Sequence, residues 1–416
     1  MDLKLHKVEI PNDNCSLQIS GSKSESNRWL ILQALYDDLL IKNLSDSDDS
    51  RHLDAVLKSN ESILDIGHAG TAMRFGTAYF ATQENREITL TGSDRMKQRP
   101  IGILVDALNN LGAQVSYVEE KGYPPLRIKG SKISGGKLSI DGSVSSQFLS
   151  AILLVAPRFE NGLELHVVGE LTSRPYLEMT LDIIKQLGVE VRTREANGNF
   201  IIHVATLEKS AINTAVVESD WSSAGYWYSW VALQDVGYEM ELAAFNEHSL
   251  QGDSALATFY LPLGVETYYQ KNKIKLVKSK VNLPSIVELD LTKEPDQAQT
   301  IFATCLGLGI DAILTGLHTL KIKETDRIEA MKVVGSRFRE SEIITTNNSI
   351  HLHFKKESIF NNNVIVDTFQ DHRMAMAFAP LVMKTSMIVK DAMVVTKSYK
   401  TYYEDLKKVN VSITEI

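Results

Sequence analysis

Cysteine is nearly absent: Cys15 and Cys305 are the only two in 416 residues. That scarcity excludes a disulfide framework and a cysteine-based zinc site. Positive charge is also in deficit, with 44 Lys and Arg against 52 Asp and Glu and a formal net charge of −8. The field of the whole chain therefore disfavours nucleic acid or an anionic membrane as a partner. No stretch approaches the roughly 18 consecutive apolar residues of a membrane-spanning helix. The start, "MDLKLHKVEI", alternates like a strand and lacks the apolar centre of a signal peptide, so a cytoplasmic protein is expected. Low-complexity tracts, charge runs and Pro/Gly/Ser-rich linkers are missing too. What is present is an ordinary globular composition, 44% hydrophobic and 23% charged, long enough for two domains.

A long-period self-similarity runs through the chain. "ITLTGSDRMKQRPIGILVDALNNLGAQVSYV" from Ile88 resembles "LELHVVGELTSRPYLEMTLDIIKQLGVEVRT" from Leu163. Each reads as strand, Gly, polar loop with Arg, Pro at the first helical position, amphipathic helix, Gly and strand. Pro100 and Pro175 are the expected helix starts, Gly112 and Gly188 the stops. Ile101, Leu104, Val105, Leu108 and Leu111 form one apolar stripe. With weaker copies included, equivalent loop starts fall near Asn43, Gly92, Gly169, Ala244, Gly316 and Asp391. After the first interval the spacing is about 75 residues, too long for a solenoid unit. The expectation is six compact α/β modules, three in each of two similar domains.

Cations recur where loops enter helices: Lys23 and Arg28, Arg99, Arg174, Lys323 and Arg327, Arg373, Lys397. A solvated face would scatter them along each helix. Gathered at helix starts, they add to the positive end of the macrodipole, which suits a small polyanion.

Single motifs are ambiguous. "GSKSESNR" is either an anion-binding helix start or a capped helix with solvated charges. "GHAGTAMRF" allows close backbone approach at Gly67 and Gly70 but lacks the Lys and spacing of a P-loop. "DGSVSSQ" offers Ser145, Ser146 and Gln147, or merely caps a buried helix. "KIKETDRIEAM" sets Glu324 between Lys323 and Arg327, where it could exchange protons or simply pair along the helix. Asp296 in "EPDQAQT" reads as an N-cap or a general base. "FQDHRMAMAFAP" brings Asp371, His372 and Arg373 to a helix start, and the aromatic "DWSSAGYWYSW" reads as core or interdomain packing.

Taken in order, "GSKSESNR", "GHAGTAMR", "RMKQRPIG", "DGSVSSQ", "SRPY", "PDQAQT", "KETDR" and "DHRMAM" resemble the 5-enolpyruvylshikimate-3-phosphate synthase family from residue 21 to about 397. The resemblance implies an α/β fold of two similar domains, each of three β-α-β-α-β-β units, with the ligand cleft between them. One domain would hold residues 21–219, the shikimate 3-phosphate side. The other, the phosphoenolpyruvate side, would hold 1–20 and 220–416. The implied reaction transfers the enolpyruvyl group of phosphoenolpyruvate to the 5-hydroxyl of shikimate 3-phosphate, by addition and elimination, with release of phosphate.

The family pattern gives the base role to Asp296 and proton delivery to Glu324 and Lys23. It assigns shikimate 3-phosphate to Lys23, Ser24, Arg28, Ser145, Ser146, Gln147, Ser173, Asp296, Thr319 and Lys323. Phosphoenolpyruvate falls to Lys23, Gly70, Arg99, Gln147, Arg327, Arg373 and Lys397. Neither a metal nor an organic cofactor is implied, and a monomer is expected. Four positions depart from the pattern: His68 for Asn, Phe75 for Pro, Thr319 for Asn and Lys400 for Pro. Glyphosate occupies the phosphoenolpyruvate site in this family, and Gly70 implies inhibition competitive with that substrate. Two rivals are weighed. A UDP-N-acetylglucosamine enolpyruvyl transferase would need a loop cysteine, which neither Cys15 nor Cys305 supplies. A non-catalytic binder of a phosphorylated metabolite would need the cations but not Asp296 and Glu324.

Overall fold

A strand that must hand the chain to a helix above its sheet needs an abrupt change of direction, which left-handed backbone provides. The loop starts of the repeat do this. Asn43, Gly169, Ala244, Gly316 and Asp391 have φ of 57°, 79°, 62°, 76° and 48°. The first four directly follow the strands Leu40–Lys42, Leu163–Val168, Glu239–Ala243 and Asp311–Thr315; Asp391 comes just after Met387–Val389. Gly92, after Glu87–Thr91, answers to a close approach instead: a Cβ there would lie 2.7 Å from the Gly67 carbonyl oxygen.

The computed structural model describes residues 1–9, 15–142, 145–169, 171, 173–196, 198–354 and 358–416. Ile10, Ser143, Val144, Glu170 and Thr172, from the motifs and repeats of the sequence, lie outside the described residues. The chain divides into two units, Gly21–Val217 and Met1–Ser20 with Glu218–Ile416.

In four modules the strand before the loop start runs parallel to the strand that precedes it in sequence, as a helical crossover requires. In the other two it runs parallel to a strand from elsewhere in the chain. Among the described residues the Gly21–Val217 unit holds two four-stranded sheets. Their orders are Ile63–Asp65, Glu87–Thr91, Leu126–Lys129, Gln114–Tyr117, and Gly136–Asp141, Leu163–Val168, Asn199–Val204, Val191–Ala196. A two-stranded parallel pair, Leu40–Lys42 with Thr214–Val216, completes it. The other unit holds three sheets of the same order. They are Cys15–Gln18, Glu239–Ala243, Lys273–Lys278, Val265–Gln270; Ile286–Asp290, Asp311–Thr315, Ile350–Phe354, Ser341–Thr345; and Val364–Val366, Met387–Val389, Leu3–Leu5, Ile413–Glu415.

Two strands are exchanged. Cys15–Gln18 precedes the helix Lys23–Leu35 in sequence but pairs with Glu239–Ala243, while Thr214–Val216 precedes the helix Trp221–Ala232 and pairs with Leu40–Lys42. Each crossing of the chain thus leaves one strand behind in the unit it departs.

The apolar patterns account for the cores. Ile101, Leu104, Val105, Leu108 and Leu111 are all buried. Pro100, however, is not the first helical residue. The helix is Gly102–Asn110: Ile101 is its N-cap, with non-helical backbone at φ −138°, and the Ile101 N–H donates to the Gly122 carbonyl at 2.9 Å. Pro175 does lie in the first turn, of Arg174–Gln186, and Gly112 and Gly188 leave their helices at φ 105° and 103°. Trp221, Tyr226, Trp227, Tyr228 and Trp230 belong to the hydrophobic core of the second unit. Their polar edges are satisfied inside it, Trp227 Nε1 donating to Tyr399 Oη at 3.2 Å and Trp230 Nε1 to Tyr238 Oη at 3.0 Å. Among the described residues no helix is long and apolar enough to cross a membrane.

Candidate active site

In the Gly21–Val217 unit the helix Lys23–Leu35 starts at Ser22, whose Oγ accepts from Glu25 N. A chain of hydroxyls fixes its neighbour. Ser45 N donates to Ser26 Oγ, Ser45 Oγ to Ser47 Oγ, Ser47 Oγ to Ser50 Oγ, and Ser50 Oγ to Asn27 Oδ1. This brings Asp49, in the first turn of Asp48–Lys58, to 3.7 Å from the Lys23 ammonium. Arg28 is buried and braces three helices. Its Nε donates to Thr180 Oγ1 at 2.7 Å, Nη2 to Ser150 Oγ and the Tyr176 carbonyl, and Nη1 to the Ser24 carbonyl. The guanidinium sits 5.6 Å from the centre of the Phe75 ring. Burial lowers its pKa to about 10, leaving it charged at neutral pH.

Gly70 opens the helix Gly70–Ala81, and a Cβ there would lie 2.5 Å from Arg99 Nη1 and 3.0 Å from Arg74 Nη1. Two guanidinium groups therefore crowd one helix start. Arg74 donates back to the Gly70 carbonyl at 2.8 Å, and Gln147 Nε2 reaches Thr71 Oγ1 at 3.4 Å. Gln147 is held there by the helix Ser146–Val155, which Ser145 caps. Ser173 caps Arg174–Gln186 from left-handed backbone, φ 52°, a conformation that a serine adopts at a cost. His68 is exposed and its Nδ1 lies 2.8 Å from Ser93 Oγ. Arg174 is a surface residue paired with Glu178 and Glu195.

The second unit is built differently. Arg327 begins the helix Arg327–Gly335 and distributes its donors over three carboxylates: Nη1 to Asp296 Oδ1 at 2.9 Å, Nη2 to Glu324 Oε2 at 3.0 Å, and Nε to Asp371 Oδ2 at 2.6 Å. Asp371 is fully buried and caps the helix His372–Phe378, accepting from Arg373 N at 2.9 Å. Arg373 then donates Nη2 to Asp296 Oδ2 at 3.0 Å and Nη1 to the Asp296 carbonyl at 3.1 Å. Lys323 Nζ lies 3.9 Å from Asp296 Oδ1, and Lys397 pairs with Glu324. Burial alone would lower the pKa of Arg327, but Asp371, Glu324 and Asp296 together raise it above its ordinary value. Lys323 is drawn up by Asp296, yet burial and the neighbouring Arg327 and Arg373 leave it below the usual lysine range. Thr319 sits in the 3-10 turn His318–Ile322, its buried hydroxyl without a hydrogen-bond partner among the described residues.

Asp296 is not the N-cap that its position suggested. It lies within a 3-10 turn, Pro295–Gln297, and Gln297 precedes the helix Ala298–Leu308, so the carboxylate faces the arginines instead. Six of the residues singled out in sequence, Asp296, Lys323, Glu324, Arg327, Arg373 and Lys397, thus form one contact network. Gly70, Arg99 and Gln147 gather with Thr71 and Arg74 in the other unit. Asp371 was visible only as a residue before a helix, and nothing in the pattern announced its bond to Arg327, 44 positions away. Ser222, Asp253 and Glu294 carried no signal beyond their polarity. Burial disfavours both cysteines as nucleophiles. Cys305 is buried in an apolar helix that pushes its thiol up to about 12, and burial likewise raises Cys15.

These arrangements can be set beside known proteins. Residues 54–406 match the family model for EPSP synthase (3-phosphoshikimate 1-carboxyvinyltransferase). The chain belongs to that family. It is 41% identical over 402 residues to a 3-phosphoshikimate 1-carboxyvinyltransferase of Bacteroides fragilis, covering 96% of each chain. It is 35% identical over 427 residues to one from a Sulfurovum species, covering 95% of this chain and 96% of that protein. An EPSP synthase from Acinetobacter baumannii shares the fold, with a TM-score of 0.78 and 19% identity over the whole of both chains.

Proposed function

We infer that this member of the EPSP synthase family transfers the enolpyruvyl group of phosphoenolpyruvate to the 5-hydroxyl of shikimate 3-phosphate and releases phosphate. The observation that carries the reading is the sharing of Arg327 by Asp296 and Glu324. Addition needs a base to take the proton of the attacking hydroxyl and an acid to protonate the enol carbon. Elimination then expels phosphate as a proton leaves that carbon. Two carboxylates tied to a common set of cations suit such exchange.

In our reading, the phosphate and carboxylate of phosphoenolpyruvate compete with Asp296 and Glu324 for the donors of Arg327, Arg373 and Lys397. A carboxylate that loses a cationic partner rises in pKa, so substrate arrival readies both groups for proton transfer. Asp296 acts as base on the hydroxyl; Glu324 and Lys23 deliver the proton. Gly70, Arg99 and Gln147 supply further contacts to phosphoenolpyruvate. Lys23, Ser24, Ser145, Ser146, Gln147, Ser173, Asp296, Thr319 and Lys323 hold shikimate 3-phosphate. Arg28 has four of its five N–H donors engaged within the protein, so its part is chiefly to brace the helix that carries Lys23 and Ser24.

The deciding experiment measures phosphate release from phosphoenolpyruvate with shikimate 3-phosphate, and separately with UDP-N-acetylglucosamine. Release with the first acceptor alone is expected. Release with the second alone, or with neither, would overturn the assignment.

A further inference from the structure

The start of the helix Trp221–Ala232 is tied to a segment the reaction does not account for. Gln251 Oε1 accepts from Trp221 N at 2.9 Å, and its Nε2 donates to the Ser219 carbonyl at 2.8 Å. Two residues on, Asp253 begins the side-chain contacts of a 3-10 turn, Gly252–Ala255, and is itself buried. Its Oδ2 accepts the hydroxyl proton of Ser222, while its Oδ1 has no hydrogen-bond partner among the described residues. The same Ser222 oxygen lies 3.4 Å from Arg373 Nη2, the nitrogen that also donates to Asp296 Oδ2.

We propose that Asp253 is a positioning residue for phosphoenolpyruvate binding: by taking the only proton of the Ser222 hydroxyl, it obliges that oxygen to accept from Arg373 and fixes the guanidinium in place. The proposal rests on the role given above to Arg373. A serine hydroxyl has one proton and two lone pairs. With the proton committed to Asp253, a lone pair is left for Nη2. Without Asp253 the hydroxyl is free to turn, and Arg373 keeps Asp296 as its side-chain acceptor in this network.

The charged groups around Asp253 are Arg373, Asp296, Asp220 and Glu294. Burial raises Asp253 to about 6 in spite of Arg373 and Ser222, and burial followed by Asp253 itself raises Glu294 to about 7. The site thus holds Asp253 among like charges as well as beside the arginine. A purely electrostatic role and a hydrogen-bonding role then predict different behaviour for Asp253→Asn, which loses the charge but keeps an acceptor for Ser222.

The test is steady-state kinetics on the full chain with both substrates varied, alongside thermal unfolding of each variant. Asp253→Ala should raise the KM for phosphoenolpyruvate about tenfold, the effect of one lost hydrogen bond to a charged group. The kcat and the KM for shikimate 3-phosphate should stay within about threefold, since the lost interaction concerns binding of one substrate. Ser222→Ala should reproduce this, and the double variant should be no worse than Ser222→Ala alone, as expected for one chain of contacts. Asp253→Asn should return the KM to within about threefold of the wild type. An unchanged KM in Ser222→Ala would overturn the proposal, whether or not Asp253→Ala folds. Equal losses in Asp253→Ala and Asp253→Asn would also overturn it, as would parallel loss in both substrates. Turnover by the wild type establishes the reaction independently of these ratios, so the two readings fail separately.

Discussion

The two arginine-bearing helix starts, around Arg28 in one unit and Arg327 in the other, solve the burial of a guanidinium in opposite ways. Arg28 is surrounded by neutral acceptors, two hydroxyls and two backbone carbonyls. Arg327 is surrounded by three carboxylates. The physical consequences differ accordingly. Burial wins at Arg28 and lowers its pKa, while the carboxylates win at Arg327 and raise it. The first arrangement offsets its positive charge only through the more distant Glu25, so that charge adds to the field of the helix. The second balances charge with charge, and its carboxylates can change protonation state when an anion displaces them.

That contrast is sharpest at the carboxylates proposed for proton transfer. Asp296→Ala and Glu324→Ala should each lower turnover by at least about 100-fold, the scale of general acid–base groups. Shikimate 3-phosphate should still bind to Glu324→Ala, as measured by titration calorimetry. Near-normal turnover in both variants would take the proton-transfer roles from Asp296 and Glu324 and dissolve the distinction between the two helix starts.

Stability offers the next test. Asp371 is fully buried, and removing it takes one of the three carboxylates from buried Arg327 and leaves its Nε without that acceptor. Asp371→Ala should cost about 3–5 kcal/mol, the usual penalty for breaking a buried pair. In the neutral network, Thr180→Val removes a single acceptor of Arg28 and should cost about 1–3 kcal/mol. Chemical denaturation monitored by tryptophan fluorescence would measure both. Equal losses would mean that the chemistry of the acceptors does not matter.

A smaller and more selective effect is expected at Gly70. An added methyl group must displace Arg99, whose Nη1 would be only 2.5 Å away. On the family resemblance, which places glyphosate against Gly70, Gly70→Ala would weaken glyphosate far more than phosphoenolpyruvate. With Arg99 in the path of the methyl, both should weaken, the KM for phosphoenolpyruvate rising by about tenfold or more, the scale of a small misplacement in a site. Glyphosate should inhibit the wild type competitively with phosphoenolpyruvate. Inhibition kinetics on the two proteins check this, and an unchanged KM would show that Arg99 yields without consequence.

The smallest effect concerns pH. Glu294 and Asp253 have their folded pKa values raised above the ordinary 4.5 and 3.8, to about 7 and about 6, so the folded state binds their protons more tightly than the unfolded chain. Their stabilising contribution is present below the ordinary carboxylate range and is lost as pH rises through about 6 to 7. Glu294→Gln should therefore gain stability relative to the wild type between about pH 5 and about pH 8, by on the order of 1 kcal/mol. Denaturant midpoints at the two pH values measure it. A constant difference would show that Glu294 titrates as an ordinary carboxylate.

Much of the module was legible in sequence because its determinants lie within a few residues of one another. The left-handed backbone at Asn43, Gly169, Ala244, Gly316 and Asp391 reports a local event, the exit of a strand into a helix. The stripe from Ile101 to Leu111 is likewise a local period. Pro100 misled because Ile101 takes a non-helical backbone and becomes the N-cap, its N–H bonded to the Gly122 carbonyl from a distant loop. Glu324 and Arg327 could be paired by reading, being three residues apart. Asp371 with Arg327, or Asp253 with Ser222, could not.

By itself, the sequence determined where the chain turns from strand to helix in the repeat, and that cations and hydroxyls collect where loops enter helices. Only the tertiary structure decided that Cys15–Gln18 pairs with Glu239–Ala243 while Thr214–Val216 pairs with Leu40–Lys42. It also decided that Arg28 is matched with hydroxyls and Arg327 with carboxylates. The reason is the range of the forces involved. Turn and helix propensities act over a few bonds along the chain, whereas a buried charge takes its partner from whichever distant segment the packed core brings within hydrogen-bonding distance.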